Sequence, residues 1–246
     1  ASTSPLSLLR RLVAGDIVLH NLTVVEGWRF EDFLNALRKH PAIVPGTDDP
    51  ATIMAKLGAE GVHPEGQFFP DTYSFPRGTT DLDVLRQARD TMATVLETIW
   101  SQRQTLILNN AYEALILASI IEKETALGSE RHQISGVFSR RLERHMRLET
   151  DPTVIYGLGE MFDGDIRAAD LATDTPYNTY RRFGLPPTPI SLPGLASLRA
   201  AVEPDDGETL FFVATGEPDG SHYFSASLEE HNAAVARYLE RLRSQN

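Results

Sequence analysis

Residues 111–129 read AYEALILASIIEKETALGS, and the rest of the chain is best understood outward from them. Asn110 precedes Glu113 at the spacing of a capping box, in which the Asn110 side chain accepts from the Glu113 amide and the Glu113 carboxylate reaches back. From Ala114 to Ile121 the run ALILASII has Ser119 as its one polar residue. A helix apolar on nearly every side is buried all round. The run passes straight into Glu122-Lys123-Glu124. A carboxyl within one turn of buried apolar surface is driven toward its protonated form unless a cation or donor offsets the burial, and a general acid needs that form. On a helix Glu122 lies over Leu115, Ala118 and Ser119, and Glu124 over Leu117, Ile120 and Ile121. The small pair Ala118 and Ser119 leaves room for a ligand beside Glu122, whereas isoleucines fill the space beneath Glu124, so Glu122 is the preferred acid. A plainer reading stays open: the helix emerges into solvent and EKE is its wet end.

With 246 residues, 41% hydrophobic and 23% charged, the chain is long and apolar enough for one large or two modest globular domains. A net charge of −11 argues against nucleic acid as a main partner, since phosphate binding needs a basic surface. The seven histidines form no HExxH pattern and there is no cysteine. Nothing in the sequence therefore calls for a metal or another cofactor, a disulfide or thiol chemistry. No apolar run approaches the roughly 18–20 residues of a membrane span. The start, ASTSPLSLLRRLVAG, is not a signal peptide, because Arg10 and Arg11 break its short apolar stretch. It reads as an amphipathic helix entered mid-fold, with an anchor expected ahead of it.

Along the chain, residues 5–14 suggest a short helix, 17–25 a β-branched strand, and 28–38 and 52–57 two helices. These first 60 residues or so make a small α/β unit. Residues 58–80 (GAEGVHPEGQFFPDTYSFPRGTT) read as a loop in which Phe68, Phe69, Tyr73 and Phe75 surround a further carboxylate, Glu65. Large rings in a loop pack on a core more often than they line a sugar cleft. Helices are expected over 81–102 and 132–145. The second carries Arg140, Arg141 and Arg144, with Arg147 just beyond, either a solvated face pairing with nearby Glu or a site for an anionic group. A turn at Asp151-Pro152 opens a short helix, 170–191 is mostly loop, and a helix begins near 198. Strands 210–214 and 222–225 form a hairpin before a closing helix, 228–242.

There is no G-x-S-x-G, no phosphate loop, no complete dinucleotide fingerprint and no calcium loop. What remains is carboxylate chemistry among aromatics, amides and hydroxyls, a pattern suited to sugar polymers. Four segments together resemble one family: EGQFFPDTYSF (65–75), LASIIEKET (117–125), MRLETDPTVIYGLG (146–159) and YNTYRRFGLPPTPIS (177–191). In order and spacing, from about Leu22 to Tyr238, they are similar to the endolytic murein transglycosylases of the YceG-like (MltG) family.

The resemblance implies an α+β protein: a mainly helical catalytic domain with small β elements, residues 61–246, preceded by a truncated LysM-like glycan-binding unit, residues 1–60. It implies Glu122, the first Glu of EKET, as the catalytic residue, and Glu65, Phe69, Asp151, Tyr177, Asn178 and Tyr180 as substrate contacts. The expected substrate is the glycan strand of peptidoglycan, cut between N-acetylmuramic acid and N-acetylglucosamine to leave 1,6-anhydro ends and stop strand elongation. No cofactor is expected, and cell-wall synthases are the expected partners. The location implied is the cell envelope, outside the inner membrane and anchored to it. Two other classes stay in view: a non-catalytic glycan-binding partner of a synthase, and a muramidase that uses water.

Overall fold

The computed structural model describes residues 18–103 and 107–245, so the helix expected over 5–14 lies outside the described residues. Strand β1 (Leu19–Thr23) pairs antiparallel with β3 (Thr72–Pro76), Leu22 opposite Tyr73. Tyr73 and Phe75 are buried while Thr72, Ser74 and Pro76 are exposed, the two-residue period of a strand with one face on a core. Between these strands come α1 (Phe30–Lys39), β2 (Ile43–Val44) and α2 (Pro50–Lys56). The Asp49 side chain caps α2 by accepting from the Ala51 and Thr52 amides, and Pro50 takes the first helical position, where no amide is needed. Strand β2 runs parallel to β4 (Thr79–Thr80), which leads into α3 (Asp81–Ser101).

Helix α1 buries Phe30, Phe33, Leu34 and Leu37, a stripe at helical spacing. The stripe packs on Met54, Phe68, Tyr73 and Phe75 and on Val84, Leu85 and Ala88 of α3. This first core therefore runs on well beyond residue 60. The stretch 58–80, read as loop, holds β3 and β4, and three of its four rings face the core; Phe68 stacks on Phe30 with ring centres 5.1 Å apart.

The second core surrounds α4 (Ala111–Glu124), in which every residue from Ala114 to Ile121 is buried. The Glu113 amide donates to Asn110 Oδ1 at 3.0 Å, as the cap requires, but the Glu113 carboxylate reaches one residue further than expected, accepting from the Asn109 amide at 2.8 Å. Around α4 stand α5 (Arg131–Glu143), α6 (Asp151–Leu158) and α8 (Leu195–Val202), with the short α7 (Ala168–Ala172) beside α6. Strands β5 (Phe211–Ala214) and β6 (His222–Ser225) form the hairpin, covered by α9 (Leu228–Gln245). Helices with three two-stranded sheets make an α+β arrangement. Among the described residues no helix is long and apolar enough to cross a membrane.

Candidate active site

The two carboxylates at the end of α4 meet different surroundings. Glu122 Oε2 accepts from the Gly194 amide at 3.0 Å, at the N-terminus of α8, and Oε1 lies 3.5 Å from Arg131 Nη2. Its side chain is only 6% exposed, and it lines neither the cleft that holds Glu124 nor the one that holds Glu65. The room expected beside Ala118 and Ser119 is occupied by protein: Ser119 Oγ accepts from the Ile190 amide at 2.9 Å, and Ser191 Oγ donates to Ser119 O at 3.1 Å. The cation over Glu122 is Arg131, not a member of the Arg140–Arg147 group. Burial, reinforced by the charge of Glu122, raises the neighbouring Glu26 above the usual carboxyl range.

Glu124 opens instead onto a cleft of about 380 Å³ walled by Arg141, Glu149, Asp151 and Tyr180, by the β5–β6 hairpin with His222, and by His231 of α9. Thr150 Oγ1 donates a short hydrogen bond to Glu124 Oε1. Burial drives the Glu124 carboxyl up to about 7; the Thr150 bond opposes that rise and the charge of Asp151 adds to it. Tyr180 donates to Asp151 Oδ1 at 2.6 Å. Arg141 is held by carbonyls, donating to Leu210 O (2.7 Å), Arg147 O (3.0 Å) and Leu148 O (3.0 Å), and it pairs with Glu149 at 3.2 Å. Arg140 likewise clamps the 205–209 segment, so these two arginines hold chain segments together rather than form a solvated face. Glu149 sits in the left-handed region at φ 54°, a conformation a non-glycine residue keeps only where its surroundings impose it.

Glu65 lies in another cleft, of about 680 Å³, with Arg29, Phe30, His63, Tyr156 and Tyr177. Glu65 Oε1 accepts from the Phe30 amide at 2.9 Å and Oε2 from Tyr156 Oη at 3.2 Å, tying α1 to α6. Burial pushes this carboxyl also to about 7, against the pull of those two bonds and of Arg29. Tyr156 and Tyr177 meet edge to face with centres 4.9 Å apart.

A model of the YceG-like family matches residues 1–237. The chain belongs to the YceG-like family. It is 35% identical over 212 residues to a Bacillus subtilis protein named endolytic murein transglycosylase, covering 85% of this chain and 56% of that protein. It is 33% identical over 181 residues to a Streptococcus pneumoniae (strain D39) protein of the same name, covering 71% and 32%. The chain thus spans about half of the first relative's length and a third of the second's. A crystal structure of a putative yceG-like protein from Listeria monocytogenes superposes with a TM-score of 0.66 at 30% identity, over 92% of this chain and 80% of that one.

In this YceG-like chain the segments read as motifs do converge. Thr179 of the YNTY loop accepts from the Thr150 amide at 3.1 Å, and its hydroxyl lies 2.8 Å from that of Thr153, which knits the loop to the start of α6 beside Glu124. Asp151 and Tyr180 reach the Glu124 cleft, whereas Glu65 and Tyr177 line the other. Two expected contacts face elsewhere. Asn178 is 1% exposed, with Nδ2 donating to the carbonyls of Asp170, Leu171 and Thr173 and Oδ1 accepting from the Tyr180 amide, so it shapes the loop from inside. Phe69 packs on the second core and lines neither cleft. Sequence reading passed over Arg29, Thr150, Tyr156, His222 and His231. Thr150 and Tyr156 stood inside a quoted motif; the other three carried no local signal.

Proposed function

We propose that this chain is the cutting domain of a lytic endotransglycosylase, acting between N-acetylmuramic acid and N-acetylglucosamine within a peptidoglycan strand, with Glu124 as its acid and then its base. The observation that carries the assignment is the setting of Glu124: a buried carboxyl raised to about 7 that lines a cleft, with a single hydroxyl donor and with Asp151, Tyr180 and Arg141 on the same walls. The protonated carboxyl gives its proton to the glycosidic oxygen as the bond to muramic acid C1 breaks. The carboxylate so formed takes the proton of the muramic acid C6 hydroxyl as that oxygen closes on C1, leaving a 1,6-anhydro end. An internal hydroxyl replaces water, so the second carboxylate of an ordinary glycosidase has no task. Glu122, first choice on sequence, supports this reading as the residue that fixes the end of α4 against α8.

The family resemblance supports further parts of the same proposal. These are a location outside the inner membrane with an anchor in the full protein, a role in ending strand elongation beside cell-wall synthases, and glycan binding by a LysM-like unit in the first 60 residues. Mass spectrometry of digested peptidoglycan tests the chemistry. Anhydro ends from the wild type, lost in Glu124→Gln and kept in Glu122→Gln, are expected. Reducing ends would make the protein a muramidase, and no product from the wild type would leave it a glycan-binding partner.

A further inference from the structure

Most polar groups of the Glu65 cleft are held by direct hydrogen bonds, and one, a cation, is held only loosely. Both Glu65 oxygens accept hydrogen bonds, His63 Nδ1 accepts from the Glu65 amide at 3.2 Å, and the Tyr177 hydroxyl lies 2.9 Å from that of Thr188. Arg29 differs. Its guanidinium rests over the Tyr156 ring, 5.0 Å from the centre, and touches one carbonyl, Ile155 O, at 3.5 Å. Among the described residues no carboxylate forms an ion pair with it. Glu65, the acid whose charge it feels in this cleft, is buried and has both oxygens taken by other donors, so the half-buried Arg29 guanidinium is free to meet a ligand's anion. The wall around it is small and apolar: Pro50, Ala51, Val62 and Pro64. Such a wall suits methyl groups and offers little to the hydroxyls of a sugar ring. Glu31, exposed at the rim, supplies the opposite charge.

We propose that this cleft binds the peptide branch of the murein strand, a short acidic peptide with alanine-sized side chains, its carboxylate on Arg29 and its methyl groups against Ala51, Val62 and Pro64. The inference rests on the reading that the strand is cut at Glu124 and adds recognition of what the strand carries. The two clefts share their walls. Asp151 and Tyr180 face Glu124, while Tyr156 and Tyr177 of the same helix and loop face Arg29. Five residues of α6 rise about 7.5 Å, so a branch on a sugar held at Glu124 has only one helix to cross.

The test is calorimetric titration of the full chain carrying Glu124→Gln with the soluble, sugar-free acidic stem peptide, which reads binding apart from catalysis. Saturable binding is expected, weakened about tenfold or more by Arg29→Gln, the loss of one charge-assisted pair. A second variant, Ala51→Glu, adds a carboxylate on an exposed helical position and should weaken the peptide similarly, with circular dichroism confirming the fold of each protein. No binding of the peptide, or equal binding by Arg29→Gln, overturns the proposal. So does an equal loss for peptide-free glycan oligomers, since the occupant would then be sugar. Failure of the cutting reading appears separately, as absence of anhydro ends from the wild type.

Discussion

Glu122 and Glu124 leave one helical turn about 200° apart, and that offset gives them different surroundings. Glu122 turns toward the first residues of α8 and meets an amide and Arg131, while Glu124 turns toward α6 and meets Thr150 and open space. An anion at a helix N-terminus is stabilised there by the unpaired amides. Glu124, buried and facing a single hydroxyl, retains its proton to higher pH than an ordinary carboxyl.

If Glu124 is the acid proposed above, the cleavage rate should fall as pH rises through about 7, where its carboxyl loses the proton to be donated. Thr150 favours the charged form through its hydrogen bond, so Thr150→Val should move that alkaline limb upward. Initial rates of anhydro-end formation across pH 5–9 measure both. A limb unmoved in the Thr150 variant would assign the titration to another group.

Stability should show the mirror image. A carboxyl raised in the folded state from 4.5 to about 7 contributes stability fully present below the unfolded value and lost as pH climbs through the folded one. Glu124→Gln has nothing to ionise and still accepts from Thr150. It should exceed the wild type at pH 8 by about 1–3 kcal/mol and match it near pH 4, by urea denaturation at each pH. A mutant weaker than wild type at pH 8 would mean that the charged carboxylate is satisfied in place.

Removing Glu122 should harm the fold before the chemistry. Glu122→Ala strands Arg131 and the Gly194 amide in a nearly closed site and should cost about 3 kcal/mol. Glu122→Gln keeps an acceptor for Gly194 and should cost about half as much, with cleavage within a few-fold of wild type. Loss of cleavage in a fully folded Gln variant would return the acid to Glu122.

Gly66 joins the Glu65 cleft to the loop before α8. Its φ is 78°, and a Cβ there would stand 2.5 Å from Pro189 Cβ. Gly66→Ala should therefore lose more than about 2 kcal/mol, combining left-handed strain with a rigid clash. A melting temperature unchanged from wild type would show that the Pro189 loop yields freely.

Local chemistry explains which parts of this fold could be read in advance. The Asn110 cap, the buried run of α4, the amphipathic α1 and the hairpin all depend on neighbours in sequence, and each lies where periodicity and capping put it. Strands β3 and β4 escaped because proline, glycine and aromatics suggest a loop, and only pairing with β1 and β2 makes them strands. The different surroundings of Glu122 and Glu124 were hidden for the same reason. Small residues beside Glu122 looked like room for a ligand, but Ile190 and Ser191, some 70 positions away, fill it. Nor does anything local reveal that three carbonyls claim the amide of Asn178, which the resemblance implied as a substrate contact.

Leu192 is 0% exposed within the first core, and its amide and carbonyl bond to Trp28 O and Gly27 N. Phe33, Leu37 and Met54 thus share a core with a residue made more than a hundred positions later. During synthesis the N-terminal sheet and helices can assemble, but they stay open on one side until the polypeptide has passed residue 192. Closure over so long a span is slow, because the chain must be looped before any contact rewards it. A nascent chain stalled between α3 and Leu192 exposes apolar surface to chaperones and to other copies of itself. The order in which this molecule is made therefore sets when it is most at risk of aggregation.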